Sequence, residues 1–289
     1  MKKKANMFKY VSLIMLTMTL LLQSVASYAD GAILFVSPHR IVIEPTERTD
    51  VVSIANQSDR ERKYEMIAVD QVMNENGVTQ RKDTFQYSAK RMLRFVPQRV
   101  TLKPGERQIV RIMARRPADL DDGDYHSHLL FREVPNKDET AELAGKQSDV
   151  QVKADSGAKT LSFNIGTYFG VAIPVIVQKG DIESSIEMGQ IEVAPRSDGK
   201  VLFASVPFTR TGNAEASGFL KIYVQDASGE AISSQVVWVR VYREVDNIVR
   251  KISVNLPETV PPGSKVKFDL YATDDDKSPL IGSQIVDLN

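Results

Sequence analysis

The chain predicts an all-β fold of two tandem immunoglobulin-like β-sandwiches, and three observations carry that prediction. Short runs rich in Val, Ile, Phe and Tyr recur along the sequence, separated by turn clusters such as Asn74-Glu75-Asn76-Gly77 and Lys103-Pro104-Gly105-Glu106. No strand–helix–strand alternation recurs, which argues against a parallel doubly wound sheet. Seven strand-like runs fit into about 110 residues beyond position 178, the density of an immunoglobulin-like sandwich. The length, 289 residues, suits two ordinary domains, and a 42% apolar share suffices for real cores.

The first 29 residues have the layout of a secretory signal. Lys2, Lys3, Lys4 and Lys9 give a positive start, and Val11 to Leu22 is a twelve-residue run without charge. Ser27-Tyr28-Ala29 then offers small residues at the two positions a signal peptidase inspects. The apolar run falls short of the roughly 20 residues of a membrane span, so cleavage after about Ala29 and no stable membrane insertion are expected. Removing residues 1–29 takes away four lysines and no acid. The formal net charge of zero then becomes −4, with 33 basic against 37 acidic side chains.

The first sandwich is expected over residues 30–177. Its strand-like runs are Ala32–Glu44, Asp50–Ala55, Lys63–Asp70, Gln108–Ala114 and Tyr125–Val134, and Phe85–Phe95 is the one stretch with a helical reading. Residues 136–159 hold Leu143, Val150 and Val152 as their only large aliphatics, the composition of a long loop. The second sandwich is expected over 178–289, with strands at Gln190–Ala194, Val201–Thr209, Phe219–Gln225, Gln235–Tyr242, Ile248–Val254, Lys265–Ala272 and Ile281–Leu288.

Little in the sequence points to catalysis. The absence of Cys excludes a disulfide scaffold, thiolate metal sites and a cysteine nucleophile. No nucleophile elbow, Walker loop, dinucleotide fingerprint or His-Glu-x-x-His stands anywhere in the chain. His126 and His128 share one strand face, but His39 is the only other histidine, so they are expected to be exposed or half-buried strand residues rather than metal ligands. Asp119–Asp124 lacks the terminal Glu of a calcium loop and is expected to be a polar turn. Residues 81–116 hold eleven Lys and Arg against two acids, expected as a solvated, edge-protecting face. Overall neutrality gives no support for nucleic acid as a partner. The expectation is a protein that is not an enzyme and needs no cofactor or metal.

The most informative run is Leu161–Val177. One parity carries Leu161, Phe163, Ile165, Thr167, Phe169, Val171 and Ile173; the other carries Ser162, Asn164, Gly166, Tyr168, Gly170 and Ala172. Alternation over thirteen residues exceeds the five or six of a common strand. A core strand explains the pattern. An edge strand that lends its apolar row to a partner sheet explains the length as well. Both readings fit the residues.

Four stretches together bear a family resemblance: Ser37-Pro38-His39-Arg40-Ile41-Val42-Ile43; Val51–Ser58 followed by Tyr64; Phe95-Val96-Pro97 with Leu102–Ile112; and Leu129–Pro135 with the long loop and alternating strand after it. In that order they resemble the periplasmic chaperones of the chaperone–usher pilus pathway. The resemblance implies two immunoglobulin-like domains that capture pilus or fimbrial subunits by donor-strand complementation and deliver them to an outer-membrane usher. It implies a donor row of Leu161, Phe163, Ile165, Thr167, Phe169, Val171 and Ile173, and an interdomain role for Arg40 in binding a subunit's C-terminal carboxylate. The family's lysine late in the donor strand has no counterpart, because Gly170 stands at that place. A non-chaperone surface or adhesive sandwich protein is the alternative.

Overall fold

Which face of each strand is buried follows from the alternation of its side chains. The structure is a computed structural model that describes residues 34–134, 170–195, 201–275 and 277–288. In β8 (Arg107–Ala114), Val110, Ile112 and Ala114 point inward, while Arg107, Ile109 and Arg111 face solvent. The turn before it needs Gly105, whose φ of +75° lies in the left-handed region that other residues disfavour.

The other strands of this half are β1 (Leu34–Ser37), β2 (Ile41–Ile43), β3 (Thr49–Asn56), β4 (Arg62–Met73), β5 (Thr79–Lys82), β6 (Leu93–Val96), β7 (Arg99–Leu102), β9 (Gly123–Val134) and β10 (Gly170–Lys179). They form two sheets, β1-β3-β8-β6 and β2-β10-β9-β4-β5, with β7 also pairing β4. These are the A-B-E-D and A′-G-F-C orders of an immunoglobulin fold. The core between them holds Ile41, Ile54, Tyr64, Leu102, Ile112, Leu129 and Phe131. Asn56, fully buried, ties the end of β3 down: its Nδ2 donates to Arg60 O and Leu102 O, each at 2.8 Å, and its Oδ1 accepts from Ser58 N and, at 3.3 Å, the Tyr64 hydroxyl. Burial, and then the nearby Glu133 charge, push the Tyr64 phenol up to about 12.

The second half contains β11 (Ser184–Met188), β12 (Glu192–Pro195), β13 (Val201–Gly212), β14 (Ala216–Gln225), β15 (Ala231–Val241), β16 (Asn247–Asn255), β17 (Lys265–Tyr271) and β18 (Leu280–Asp287). β13 pairs β11 and β12 along one side and β16 along the other, and the facing sheet runs β15-β14-β17-β18. Leu202, Phe208, Leu220, Ile222, Ile252 and Phe268 fill the space between. The fold is all-β, with two immunoglobulin-like sandwiches.

Two sequence expectations are corrected here. Phe85–Phe95 is not helical. Turns lead into β6, and the segment is laced to β9 instead, with Ala89 N donating to His126 O at 3.0 Å and His126 N to Tyr87 O at 2.9 Å. Ala32–Glu44 is not one strand among its described residues. It breaks at Pro38, which has no N–H to continue a ladder, and the chain crosses from one sheet to the other. The basic residues of 81–115 are exposed, and Arg116 is half-buried, where it donates to the carbonyls of Ile43, Glu44, Glu47 and Gln178.

Candidate functional site

The site grows from β10. This strand pairs antiparallel with β9 over all ten of its residues, from Gly170↔Arg132 to Lys179↔Gly123. On its other side β2 runs parallel to it, but only over Val175↔Ile41, Ile176↔Val42 and Val177↔Ile43. The early departure of β1 to the opposite sheet leaves Gly170–Pro174 with no ladder partner on that side among the described residues. Pro174 fits such an edge, since it has no N–H to leave unpaired.

Of the donor row, Leu161, Phe163, Ile165, Thr167 and Phe169 lie outside the described residues. Val171 is half-buried against the first core, and Ile173, 1% exposed, belongs to that core outright. The odd parity of β10 therefore serves the chain's own interior from Ile173 onward. The even parity faces the other way, and Ile176 packs into the second core. Across the sheet, Ala172, Leu130 and Ile67 form a half-buried apolar row, with Pro174, His128 and Val69 next along. A side chain at Gly170 would meet Leu130 and the carbonyl of Phe131, both at 3.2 Å, so the backbone there packs close to β9.

That face runs down to the junction of the two sandwiches. His126 and His128 are 1% and 4% exposed, which corrects the expectation of exposed or half-buried histidines. His126 stacks on Tyr242 at 4.4 Å, and its Nε2 lies 2.9 Å from Glu244 Oε2. The other oxygen of Glu244 accepts from Met73 N at 2.7 Å. Although burial opposes it, the His126 and Met73 contacts hold the Glu244 carboxyl below its ordinary range. Asp124 is also buried rather than part of a polar turn. Its Oδ2 accepts from Glu215 N at 2.7 Å, and its own N–H donates to Asn213 O. The backbones meet so closely that a Cβ on Gly123 would lie 2.3 Å from Asn213 O.

Arg40, half-buried just ahead of β2, faces this junction. Its Nη2 pairs with Glu215 Oε1, and Arg240 Nε lies 3.6 Å from the same oxygen. Glu215, Arg240, Tyr242 and Glu244 were not found by sequence reasoning. Only Arg240 carries a signal, as the charged residue between the core valines Val239 and Val241 at a position that ought to be solvated.

Two groups here titrate in opposite senses. Burial, then the charges of His126 and Arg40, push the His128 ring down to about 4, so the fold holds it neutral. The stability this gives is complete above the ordinary value of 6.5 and drains as pH falls toward 4. Burial pushes the Asp124 carboxyl up to about 6, so ionised Asp124 costs stability above that pH, and the cost is relieved as pH falls toward 3.8. Between about pH 7 and 5 each effect amounts to roughly 1–2 kcal/mol, and they nearly cancel. Asp124→Asn is expected to expose the histidine effect, with a melting temperature that falls more steeply than wild type on acidification. Parallel profiles in a melting series would refute it.

Among the described residues, no group of three or more His, Asp or Glu is placed to hold a metal, and no helix is long and apolar enough to cross a membrane. No family model matches the chain, and no curated protein does. Solved structures overlap it along most of its length. One is a chaperone–tip adhesin complex of CFA/I fimbriae biogenesis (TM-score 0.43, 13% identity, 88% of this chain and 99% of that one). Another is the CsuC–CsuE chaperone–tip adhesion subunit pre-assembly complex of the archaic chaperone–usher Csu pili of Acinetobacter baumannii (0.42, 13%, 89% and 98%). A third is the CupB2 chaperone of Pseudomonas aeruginosa (0.40, 10%, 88% and 100%). Overlap at this level assigns no role to any residue here.

Proposed function

We propose that this protein is a divergent periplasmic chaperone of the chaperone–usher type, exported with cleavage after about Ala29. In this reading it captures pilus or fimbrial subunits by donor-strand complementation and passes them to an outer-membrane usher. Residues 30–177 form the capturing domain and 178–289 the second. The observation that carries the proposal is the half-covered strand β10. Among the described residues its edge is open at Gly170–Pro174, and the sequence just ahead of it continues the same alternation back to Leu161.

The physics of capture is that of strand addition. Main-chain hydrogen bonds along the open edge supply affinity, and alternate side chains supply the fit. Leu161, Phe163, Ile165, Phe169 and Val171 would fill a subunit's groove, with Thr167 as the smaller interruption. At roughly 1.5–3 kcal/mol each, the four large residues ahead of β10 contribute about 10 kcal/mol before ordering costs. Ile173, the last residue of the row, also fills the chain's own core. No cofactor and no chemical step enter this work.

Charged replacements at Phe163, Ile165 and Phe169 together are expected to abolish the one-to-one periplasmic complex with a co-expressed pilin-like subunit, while the melting temperature of the free protein is unchanged. Capture that survives in the triple variant would overturn the proposal. Stable self-association or surface attachment without any such complex would favour the structural or adhesive reading instead.

A further inference from the structure

The junction holds an unusual charge arrangement, in which two guanidinium groups face one carboxylate. Arg40 comes from the first sandwich, Arg240 and Glu215 from the second, and both arginines address the same oxygen, Glu215 Oε1. The fit is poor. A guanidinium presents a planar fork that suits the two oxygens of a carboxylate. Here Arg40 uses one prong only, and its Nη1 is buried without a hydrogen-bond partner. Arg240 Nε and Glu215 Oε2 are likewise buried without one. Burial, and then the Arg40 charge, pull the Arg240 guanidinium below its ordinary range. Each member of the trio thus keeps one buried polar atom without a hydrogen-bond partner.

The backbone around Glu215 is held by bonds of its own, so among the described residues the carboxylate is tied down by the two arginines alone. Asp124 Oδ2 accepts the Glu215 N–H at 2.7 Å, and Arg210 Nη1 donates to the carbonyl of Ala214 at 3.0 Å. These backbone bonds do not depend on where the Glu215 carboxylate lies. Arg240 has a second resting place as well, since its guanidinium carbon lies 5.4 Å from the centre of the Trp238 ring.

We infer that Glu215 is a resident carboxylate that caps Arg40 and Arg240 in the free protein, and that an incoming peptide carboxylate must displace it. Arg240 is then the second cation of the anchor, supplied by the second sandwich, at a site where β10 offers only Gly170. This deepens the chaperone reading and rests on it. In the free state Glu215 offsets one of two half-buried like charges. In the bound state a guest carboxylate takes both forks, and Glu215 turns aside. Exchange of one carboxylate for another makes capture selective for a chain end that carries both oxygens, and it keeps the empty site from holding stray anions.

The test uses a synthetic peptide of alternating valine and serine with a free C-terminal carboxylate, and the same peptide as its C-terminal amide. Trp238 is the only tryptophan in the chain, so its emission reports on Arg240 directly. Wild-type protein is expected to favour the acid and to change Trp238 emission with the acid alone. Glu215→Gln is expected to tighten the acid about tenfold and leave the amide unchanged, the scale of one charge-assisted hydrogen bond. Arg240→Gln is expected to weaken the acid by a similar factor. If Glu215→Gln melts too low for titration, Glu215→Asp, which withdraws the carboxylate by one methylene, should shift acid binding in the same direction. Equal binding of acid and amide in both wild type and Glu215→Gln would overturn the inference, and so would weaker acid binding in Glu215→Gln. Co-expression with a pilin-like subunit separates the two readings. Capture that is indifferent to Glu215→Gln and Arg240→Gln sinks the anchor and spares the chaperone. A preference for the acid without subunit capture does the reverse.

Discussion

Arg210→Met is expected to lower the melting temperature by roughly 10 °C, the counterpart of about 4 kcal/mol. The Arg210 side chain is 5% exposed, and its charge partner Asp246 is 71% exposed, so the ion pair is the lesser part of its work. The greater part is a set of backbone carbonyls. Nε donates to Val245 O at 3.1 Å, Nη1 to Gly212 O at 2.7 Å and Ala214 O at 3.0 Å, and Nη2 to Arg243 O at 3.3 Å. A Met side chain fills similar volume and leaves those acceptors without donors, each a penalty of about 1–3 kcal/mol when water cannot reach it. The same carbonyls belong to the two segments that carry Glu215 and Glu244, so the loss extends to the junction. Arg210→Lys should recover only part of the melting temperature, because one ammonium cannot span acceptors spread over both segments. A variant that melts with wild type would show that these bonds contribute little.

Glu244→Ala is expected to cost about 3 kcal/mol. One carboxylate serves a backbone amide of the first sandwich through Oε1 and the buried His126 ring through Oε2. Truncation strands both groups where little water reaches them. Glu244→Gln is expected to cost about 1 kcal/mol, since an amide can still accept from Met73 N and contact the imidazole. Chemical denaturation of the three proteins checks the order, and similar losses for Ala and Gln would mean that charge rather than hydrogen bonding dominates.

The strands were legible in the sequence because two-residue alternation is a local signal, and it runs through most of β8, while in β14 and β17 it is interrupted by the buried Phe219 and Asp269. Alternation tells which side chains share a face, but it does not tell what covers that face. His126 and His128 illustrate the gap. Their common face was evident, yet the groups that bury it, Tyr242 and Glu244, stand more than a hundred residues away in another sandwich. Asp124 was misjudged for the same reason, as its partner Glu215 comes from beyond β13. The crossing at Pro38 was visible as a proline within an apolar run, but the choice of sheet on either side depends on β3 and β10, which are remote in sequence. Of the candidate site, Arg40 was named through the family resemblance. Arg240 and Glu215 carry no motif and became evident only from their meeting in space.

The unequal flanks of β10 have a mechanical consequence. On one side ten residues are in register with β9, so a pull along the strand loads every rung of that ladder together, in shear. In the proposed capture, a guest strand laid against the edge that is open among the described residues would be attached by its own rungs alone, and an invading strand starting at one end would break them in succession. Host and guest thus share a backbone but differ in how they fail. Under the proposed function, a guest would peel away at low force while the host strand stays seated, leaving the same molecule intact for another round.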